Sequence, residues 1–478
     1  LGDKGYGAWE IYLRVFGYLS ILEMGPAPAF IRSAARAAAQ EDREELDAVM
    51  SATFLLLTGA GFLGLLVACV IAGLPERLLN IDPAQVPEAR LLAVLLGGNF
   101  LLQMTGTVFT AYLMGMQRHY VMNATRVLLT VAQAAATYLA LTRWPGSGLI
   151  WLSVILLGAN LAQFSFFALW SLLRRPAPSI DPRRVRRSTV GDLYRFGVKS
   201  VTLMAAARVA QGSVPIIMGW VLGAGQVVYY AIPNRLVGYA AGLGTALGFP
   251  LMPYFSALDG KGDRAETLSA WFSFTRALQF VMIGMAVGTF LLGGPFIARW
   301  IGPNYAAGGA WVIRFLAAGL LVEALAPNAS RLLVSMNRHG RPAAAGLVIA
   351  VLGVPVIAFL ASARGVAGVG LAVFLVKAGM ESAWFVIAAR ALGLGIGEHL
   401  RRTILRFIPS ALLFAATVLA LRHLREAETY PLILAYAAAG GLLYAGSSWR
   451  IALTAAERSA ALAALAGLRG RFSAARQA

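Results

Sequence analysis

Apolar runs of about 20 residues recur along the whole chain, thirteen in all, near 6–30, 50–73, 90–115, 121–142, 148–173, 197–222, 226–256, 268–292, 307–334, 342–362, 364–392, 403–422 and 430–447. A run of that length crosses a hydrocarbon core roughly 30 Å thick as a helix. Lipid offers no partner to an open backbone polar group, so helices are what such runs become. Only 13% of the 478 residues are charged and 59% are hydrophobic, against about a quarter charged in soluble domains. The chain is therefore expected to be an all-α polytopic membrane protein. No signal-peptide pattern or lipidation motif stands at either end. The single cysteine, Cys69, lies inside an apolar run and is expected to be a small buried hydrophobe. His119, His339, His399 and His423 fall near segment ends without a second ligand at metal spacing.

The net charge of +19 would suggest nucleic acid in a soluble protein, but here its distribution points to topology. Of the 41 Lys and Arg, 27 fall in one alternating set of connections: Arg32 to Arg43, Arg118 and Arg126, Arg174 to Lys199, Lys261 and Arg264, Arg331 to Arg341, Arg390 to Arg406, and the tail from Arg450. The opposite set holds 8. The positive-inside rule then predicts a cytoplasmic C-terminus and an outer-side Leu1. The run RRPAPSIDPRRVRR reads as an exposed linker held near anionic headgroups by its arginines, not as a nucleic-acid site. The tail reads as a weak basic amphipathic helix on the inner surface.

An internal repeat organises the spans. At an offset of 221, LGDKGYGAWEIYLRVFGY lies over LGAGQVVYYAIPNRLVGY, pairing Gly2 with Gly223 and Arg14 with Arg235. The frame continues to Asp42 over Asp263 and Glu45 over Glu266, then at offset 220 to MQRH (116–119) over MNRH (336–339). The common frame predicts a duplication. Since Leu222 ends a span, a further helix is expected before Leu1, giving fourteen when complete and thirteen in this chain, as six plus six plus two. The expected layout is an N-terminal bundle at 1–173, a basic linker at 174–196, a C-terminal bundle at 197–392, two extra helices within 393–447 and a basic tail at 448–478. An even six gives both halves one orientation.

No hydrophilic loop exceeds about 22 residues, too few for a soluble catalytic domain, and no Walker-type P-loop is present, so the chain is read as a non-enzyme. Any activity must be built from the helices. Arg14, Arg208 and Arg235 lie mid-span, where an exposed arginine costs about 3 kcal/mol on insertion scales. Such residues face a polar cavity or a partner, and guanidinium fits phosphate through two parallel hydrogen bonds. Tyr18 and Tyr239 stand one turn beyond Arg14 and Arg235, as a face for a sugar. Gly17 and Gly238 are expected to admit a neighbouring helix. The alternative for each arginine is pairing to carbonyls or acids outside any cavity, and Arg14 follows Glu10 by one turn. Asn234 and Gln211 could line the same water. Arg276 and Arg314, nearer the membrane faces, either bind substrate or snorkel. Glu10, Glu23 and Glu323 are candidate ion-coupling groups, as are Lys377 and Glu381, whose spacing of four favours a structural ion pair.

The stretches LGDKGYGAWEIYLRVFGYLSILEMGPAPAFIR (1–32) and YRFGVKSVTLMAAARVAQGSVPIIMGWVLGAGQVVYYAIPNRL (194–236) resemble the second, seventh and eighth helices of the polysaccharide transporter family of the multidrug/oligosaccharidyl-lipid/polysaccharide (MOP) exporter superfamily. The resemblance implies two six-helix bundles plus two extra helices, and a flippase for undecaprenyl-diphosphate-linked sugar units in the bacterial cytoplasmic membrane, feeding O-antigen, capsule or exopolysaccharide assembly. It implies a cavity lined by helices that here carry Arg14, Arg208 and Arg235. It further implies alternating access with no cofactor, driven by a Na+ or H+ gradient or by membrane potential, and, as partners, membrane lipids, a polysaccharide polymerase and glycosyltransferases. A lipid II flippase, a cation-coupled drug extruder and a membrane-bound glycan polymerase or ligase remain as alternatives. A drug extruder would favour an acidic cavity.

Overall fold

The computed structural model describes residues 2–23, 26–73, 86–173, 178–191, 193, 212–248, 251, 254–255, 258, 263–327, 329–336, 338 and 340–463. Its helices are α1 Gly2–Leu19, α2 Pro26–Ala39, α3 Arg43–Ala72, α4 Val86–Gly115, α5 His119–Arg143, α6 Gly148–Leu173 and α7 Gly212–Leu222. They continue as α8 Val228–Gly248, α9 Arg264–Trp300, α10 Pro303–Glu323, α11 Ala329–Ser335, α12 Gly340–Leu392, α13 Ile396–Arg402, α14 Ile408–Leu424 and α15 Tyr430–Ile451. Among the described residues, nine helical stretches are long and apolar enough to cross a membrane. Two expected spans are interrupted: 6–30 by a tight turn over Ser20–Glu23, and 307–334 after Glu323.

The chain forms two compact units, Leu1–Val228 and Tyr229–Ala478. The repeat places α7 in the second half, but it packs within the first unit. A Cβ on Gly7 of α1 would stand 1.7 Å from the Ala224 carbonyl oxygen just beyond α7, and one on Gly219 would stand 2.3 Å from Ile11 Cδ1. At Gly7 only glycine lets the two backbones meet so closely, and Gly219 leaves room for the Ile11 side chain.

In the first unit, α3, α4 and α6 bury Met50, Leu57, Leu113 and Phe167 against Phe30 of α2. α5 buries only Val121, Met122 and Ala140. The apolar remainder of α5, including Val127, Leu128 and Val131, is exposed, as a lipid-facing helix requires. Cys69 is also exposed, contrary to expectation. It shares the outward side of α3 with Leu66 and Val70, so its apolar surroundings are lipid in place of a core. The described part of the linker is docked on α3, where the sequence suggested an exposed segment held near lipid headgroups. Asp47 accepts from the Ser179 backbone N–H at 2.7 Å and pairs with Arg184, Ser51 Oγ accepts from the Asp181 N–H at 2.9 Å, and Arg186 pairs with Glu44. The charges read as headgroup contacts are thus partly spent on α3.

In the second unit, one core joins α9, α14 and α15 through Met282, Phe414 and Tyr444. Another lies around Trp271, Leu332 and Phe385. The two spans expected at 342–362 and 364–392 form a tight hairpin within α12, turning at Gly365 with φ 60° and ψ −144°. Trp384 of the returning arm donates its indole N–H to the Pro342 carbonyl at 3.0 Å.

The duplication is visible in backbone geometry. Gly2 and Gly223, paired by the 221 offset, both take positive φ, 66° and 89°, a conformation that excludes most side chains. Asp42 and Asp263 are N-caps of α3 and α9 with φ/ψ of −83°/92° and −81°/91°. Each accepts the N–H three residues on, from Glu45 and Glu266, both at 2.9 Å, which makes the repeated Asp-x-x-Glu a helix start. The two M-x-R-H copies close their helices alike, with Arg118 N–H to Leu113 O and Arg338 N–H to Leu333 O both at 2.8 Å. These six-to-one bonds belong to a Schellman cap.

Candidate functional site

One face of α1 carries Tyr6, Glu10, Arg14 and Tyr18 at a spacing of four, which stacks them along the helix. Glu10 is 1% exposed. Its carboxylate accepts from the Tyr6 hydroxyl at 3.0 Å and meets Arg14 Nη2 at 3.6 Å. Among the described residues the buried Arg14 Nε has no hydrogen-bond partner, an uncommon state for a buried donor. The Tyr18 and Ser213 hydroxyls hydrogen-bond, and the Tyr18 ring lies against Gly212 at the start of α7. α1 is thus fixed on one side while its arginine, 35% exposed in its side chain, keeps an unsatisfied donor.

The second copy lies on α8 of the second unit. Pro233 has no N–H and so leaves the Tyr229 carbonyl without its helical donor. Asn234 follows, half-buried, then Arg235, exposed. Tyr239 is 72% exposed. Gly17 and Gly238 do not admit a neighbouring helix as expected. A Cβ on either would meet nothing within 4 Å among the described residues. Close approaches are made at Gly7 and Gly219 instead.

Arg208 and Gln211 lie outside the described residues. Arg276, expected to bind substrate or snorkel, is held by protein groups. It is 7% exposed, and its Nε and Nη2 donate to Glu457 at 2.9 and 2.6 Å while Nη1 donates to the Arg402 carbonyl at 3.1 Å. Arg314 is exposed on α10 and stacks over Trp311 at 5.2 Å. Glu23 accepts from Thr107 Oγ1 at 3.3 Å. The expected pairing of Lys377 with Glu381 gives way to Lys377 Nζ with Glu323 of α10 at 2.7 Å. A lysine that precedes its acid by one turn is the poorer helical arrangement, and the longer reach to α10 wins. Glu381 remains within electrostatic range of both partners.

Two buried polar groups escaped the sequence reading. His399 accepts from the Trp271 indole N–H at 3.2 Å on Nδ1 and meets the Leu325 carbonyl at 2.9 Å through Nε2, which fixes the neutral Nε2–H tautomer. Gln279 donates to the Ala324 carbonyl at 2.8 Å. Both act across helices far apart in sequence, and no local pattern marks them.

Apolar helical spans and a duplicated helix start describe an all-α polytopic membrane protein. The fold matches an inward-facing multidrug resistance MATE family transporter of the MOP superfamily at TM-score 0.70 and 15% identity, over 82% of this chain and 91% of the other. It matches the lipid II flippase MurJ in an inward closed conformation at TM-score 0.68 and 12% identity, over 94% and 96%. A MOP superfamily transporter from Pyrococcus furiosus, described as having a binding pocket of reverse polarity, matches at TM-score 0.58 and 15% identity, over 82% and 89%. No curated protein matches the chain in sequence. The family described as polysaccharide biosynthesis protein matches residues 1–259. The chain belongs to that family.

Proposed function

We propose that the protein is a flippase that carries undecaprenyl-diphosphate-linked oligosaccharide from the inner to the outer leaflet of the bacterial cytoplasmic membrane, with its C-terminus in the cytoplasm. The observation that carries this reading is the repeated Arg-x-x-Gly-Tyr motif. Each copy sets a guanidinium on a helix face beside a glycine with no neighbour within 4 Å among the described residues, and the Arg14 Nε is a buried donor without an acceptor among them. A diphosphate supplies such acceptors in the fork geometry that guanidinium favours. Tyr18 and Tyr239 give apolar faces with polar tips, suited to sugars beside the phosphates. Arg208, Gln211, Asn234 and Arg314 belong to the same reading as further substrate contacts.

Transport then proceeds by alternating access between duplicated halves. No cofactor enters the cycle. A Na+ or H+ gradient or the membrane potential resets it, and Glu323, Lys377 and Glu381 are the acid-rich group assigned to that coupling, with Glu10 and Glu23 as secondary candidates. A polysaccharide polymerase and glycosyltransferases are the implied neighbours in the process.

Arg14→Ala and Arg235→Ala are each expected to lower surface glycan about tenfold or more, with protein level and inner-leaflet precursor unchanged. Normal glycan in both variants would remove the binding role. Purified protein in vesicles loaded with labelled undecaprenyl-diphosphate oligosaccharide should expose the label to an outer-leaflet probe. A second reading, lipid II as cargo, draws on the 94% coverage in the MurJ match. The same vesicles loaded with a lipid-linked muropeptide separate the two.

A further inference from the structure

A cavity of about 440 Å³ opens at one end of the first unit, between α2, the start of α3 and the docked linker. It lies apart from the arginine motifs. Its α2 wall presents Arg32 and Arg36, four residues apart and therefore on one helix face, followed by Gln40. The turn after α2 and the first turn of α3 add Asp42 and Glu45 to the same lining. The linker wall carries Thr189 and Leu193, both buried. That wall is held in place by the Arg184–Asp47 and Arg186–Glu44 pairs.

The depth of this cavity follows from helix length. α3 has 30 residues, about 45 Å at 1.5 Å per residue, some 15 Å more than the hydrocarbon core. Its long apolar run begins near residue 50, so the α3 residues that line the cavity precede the core and stand at headgroup level.

The charge arrangement selects a ligand class. Two guanidinium groups on one wall invite a phosphate. Two carboxylates in the same lining would repel a simple anion and attract a cation. Neither a free anion nor an anionic headgroup answers both charges. A phosphate ester that ends in a primary ammonium does. The phosphate faces Arg32 and Arg36, and the ammonium donates N–H bonds toward Glu45 and Asp42. The volume lies within the range of small-ligand sites. We propose that this cavity binds the zwitterionic headgroup of an amine-bearing phospholipid of the phosphatidylethanolamine class. The site is independent of the flippase reading, because it requires no translocated cargo.

The test uses the full-length protein in detergent and counts bound lipid by native mass spectrometry. Phosphatidylethanolamine should be retained about tenfold more than phosphatidylcholine, whose quaternary ammonium has no N–H, and more than phosphatidylglycerol, which has no cation. Arg36→Gln should lower phosphatidylethanolamine retention about tenfold, and Arg36→Lys should restore most of it. Glu45→Gln should leave lipid bound while abolishing the preference over phosphatidylcholine. Displacement by free phosphoethanolamine, with inorganic phosphate inert, identifies the headgroup as the recognised part. Melting temperatures close to the wild type show that each variant is folded, and Glu45→Gln tests the site separately should Arg36→Gln unfold. Equal retention of the three lipids by the wild type, or unchanged selectivity in folded Glu45→Gln, overturns the proposal.

Discussion

Arg276 shows how an intramembrane charge can be structural. Its guanidinium holds both oxygens of Glu457, at 2.9 and 3.1 Å from Nε, and both side chains are about nine-tenths buried. The pair ties the segment after α15 to α9. Glu457 also accepts from the Thr454 N–H at 2.9 Å while its own N–H donates to Thr454 Oγ1 at 3.3 Å, so the short helix that begins after Thr454 is capped by the residue the arginine grips. Removing one member of a buried pair leaves the other uncompensated, at a cost of about 3–5 kcal/mol. Glu457→Ala should therefore lower the melting temperature by several degrees in detergent. Arg276→Met combined with Glu457→Leu should recover part of the loss, and equal loss in single and double variants would show that the charge is not what matters. Burial alone would push the Glu457 carboxyl up, but its hydrogen bonds with Arg276 and Thr454 overcome burial and hold it below its ordinary 4.5. A carboxylate of lowered pKa binds fewer protons folded than unfolded. Its contribution is full above about pH 4.5 and is lost as pH falls through the lowered value. Melting curves between pH 7 and pH 3 should converge for the wild type and Glu457→Gln at the acid end.

At the scale of elements, the hairpin in α12 depends on two glycines. Gly365 takes a φ of 60°, where an L side chain is strained by about 1–3 kcal/mol. Gly368 faces the Leu360 carbonyl so closely that an added Cβ would stand 1.9 Å from its oxygen. The arms meet again where a Cβ on Gly353 would stand 2.6 Å from Val376 Cγ2. Gly365→Val should destabilise the protein by about 2 kcal/mol or more through the turn conformation, while Gly397→Ala, with nothing within 4 Å of its added Cβ, should change stability by less than about 1 kcal/mol. Thermal melting of the two variants checks the contrast. Equal melting would mean that the turn tolerates side chains and that the tight backbone is not needed. α1 and α8 obey a different rule. Their glycines beside the arginines meet nothing within 4 Å among the described residues, and close contacts fall on Gly7 of α1 and on Gly219 of α7. Glycine in a span thus marks a close approach at some positions and a vacancy at others, and spacing alone does not distinguish them.

At the scale of the whole molecule, the apolar spans and the duplication were legible because both are local signals, although the described residues hold nine helical stretches able to cross a membrane against the thirteen expected. Apolar run length reports a membrane crossing, and Asp-x-x-Glu at residues 42 and 263 reports a helix start wherever it falls. The partners of charges were not legible. Lys377 chose Glu323 over Glu381, and Arg276 reached Glu457 across 181 positions. Such contacts depend on which helices touch, and no periodicity within one helix contains that information. The linker follows the same rule. Its arginines looked like headgroup contacts, yet Arg184 and Arg186 pair with Asp47 and Glu44 of α3. Because Thr189 and Leu193 beyond these arginines line a polar cavity, the linker walls that cavity as well as joining the repeats. Its protection from cleavage should then depend on α3. Trypsin should cut the wild type slowly at Arg183 to Arg187. Glu44→Ala combined with Asp47→Ala should raise the initial rate about tenfold, since local opening then exposes the chain. Ser51→Ala, which removes the acceptor for the Asp181 N–H, should give a smaller rise. If all three proteins are cut at one rate, the linker is held by something other than these contacts, and its place as a cavity wall is lost with them.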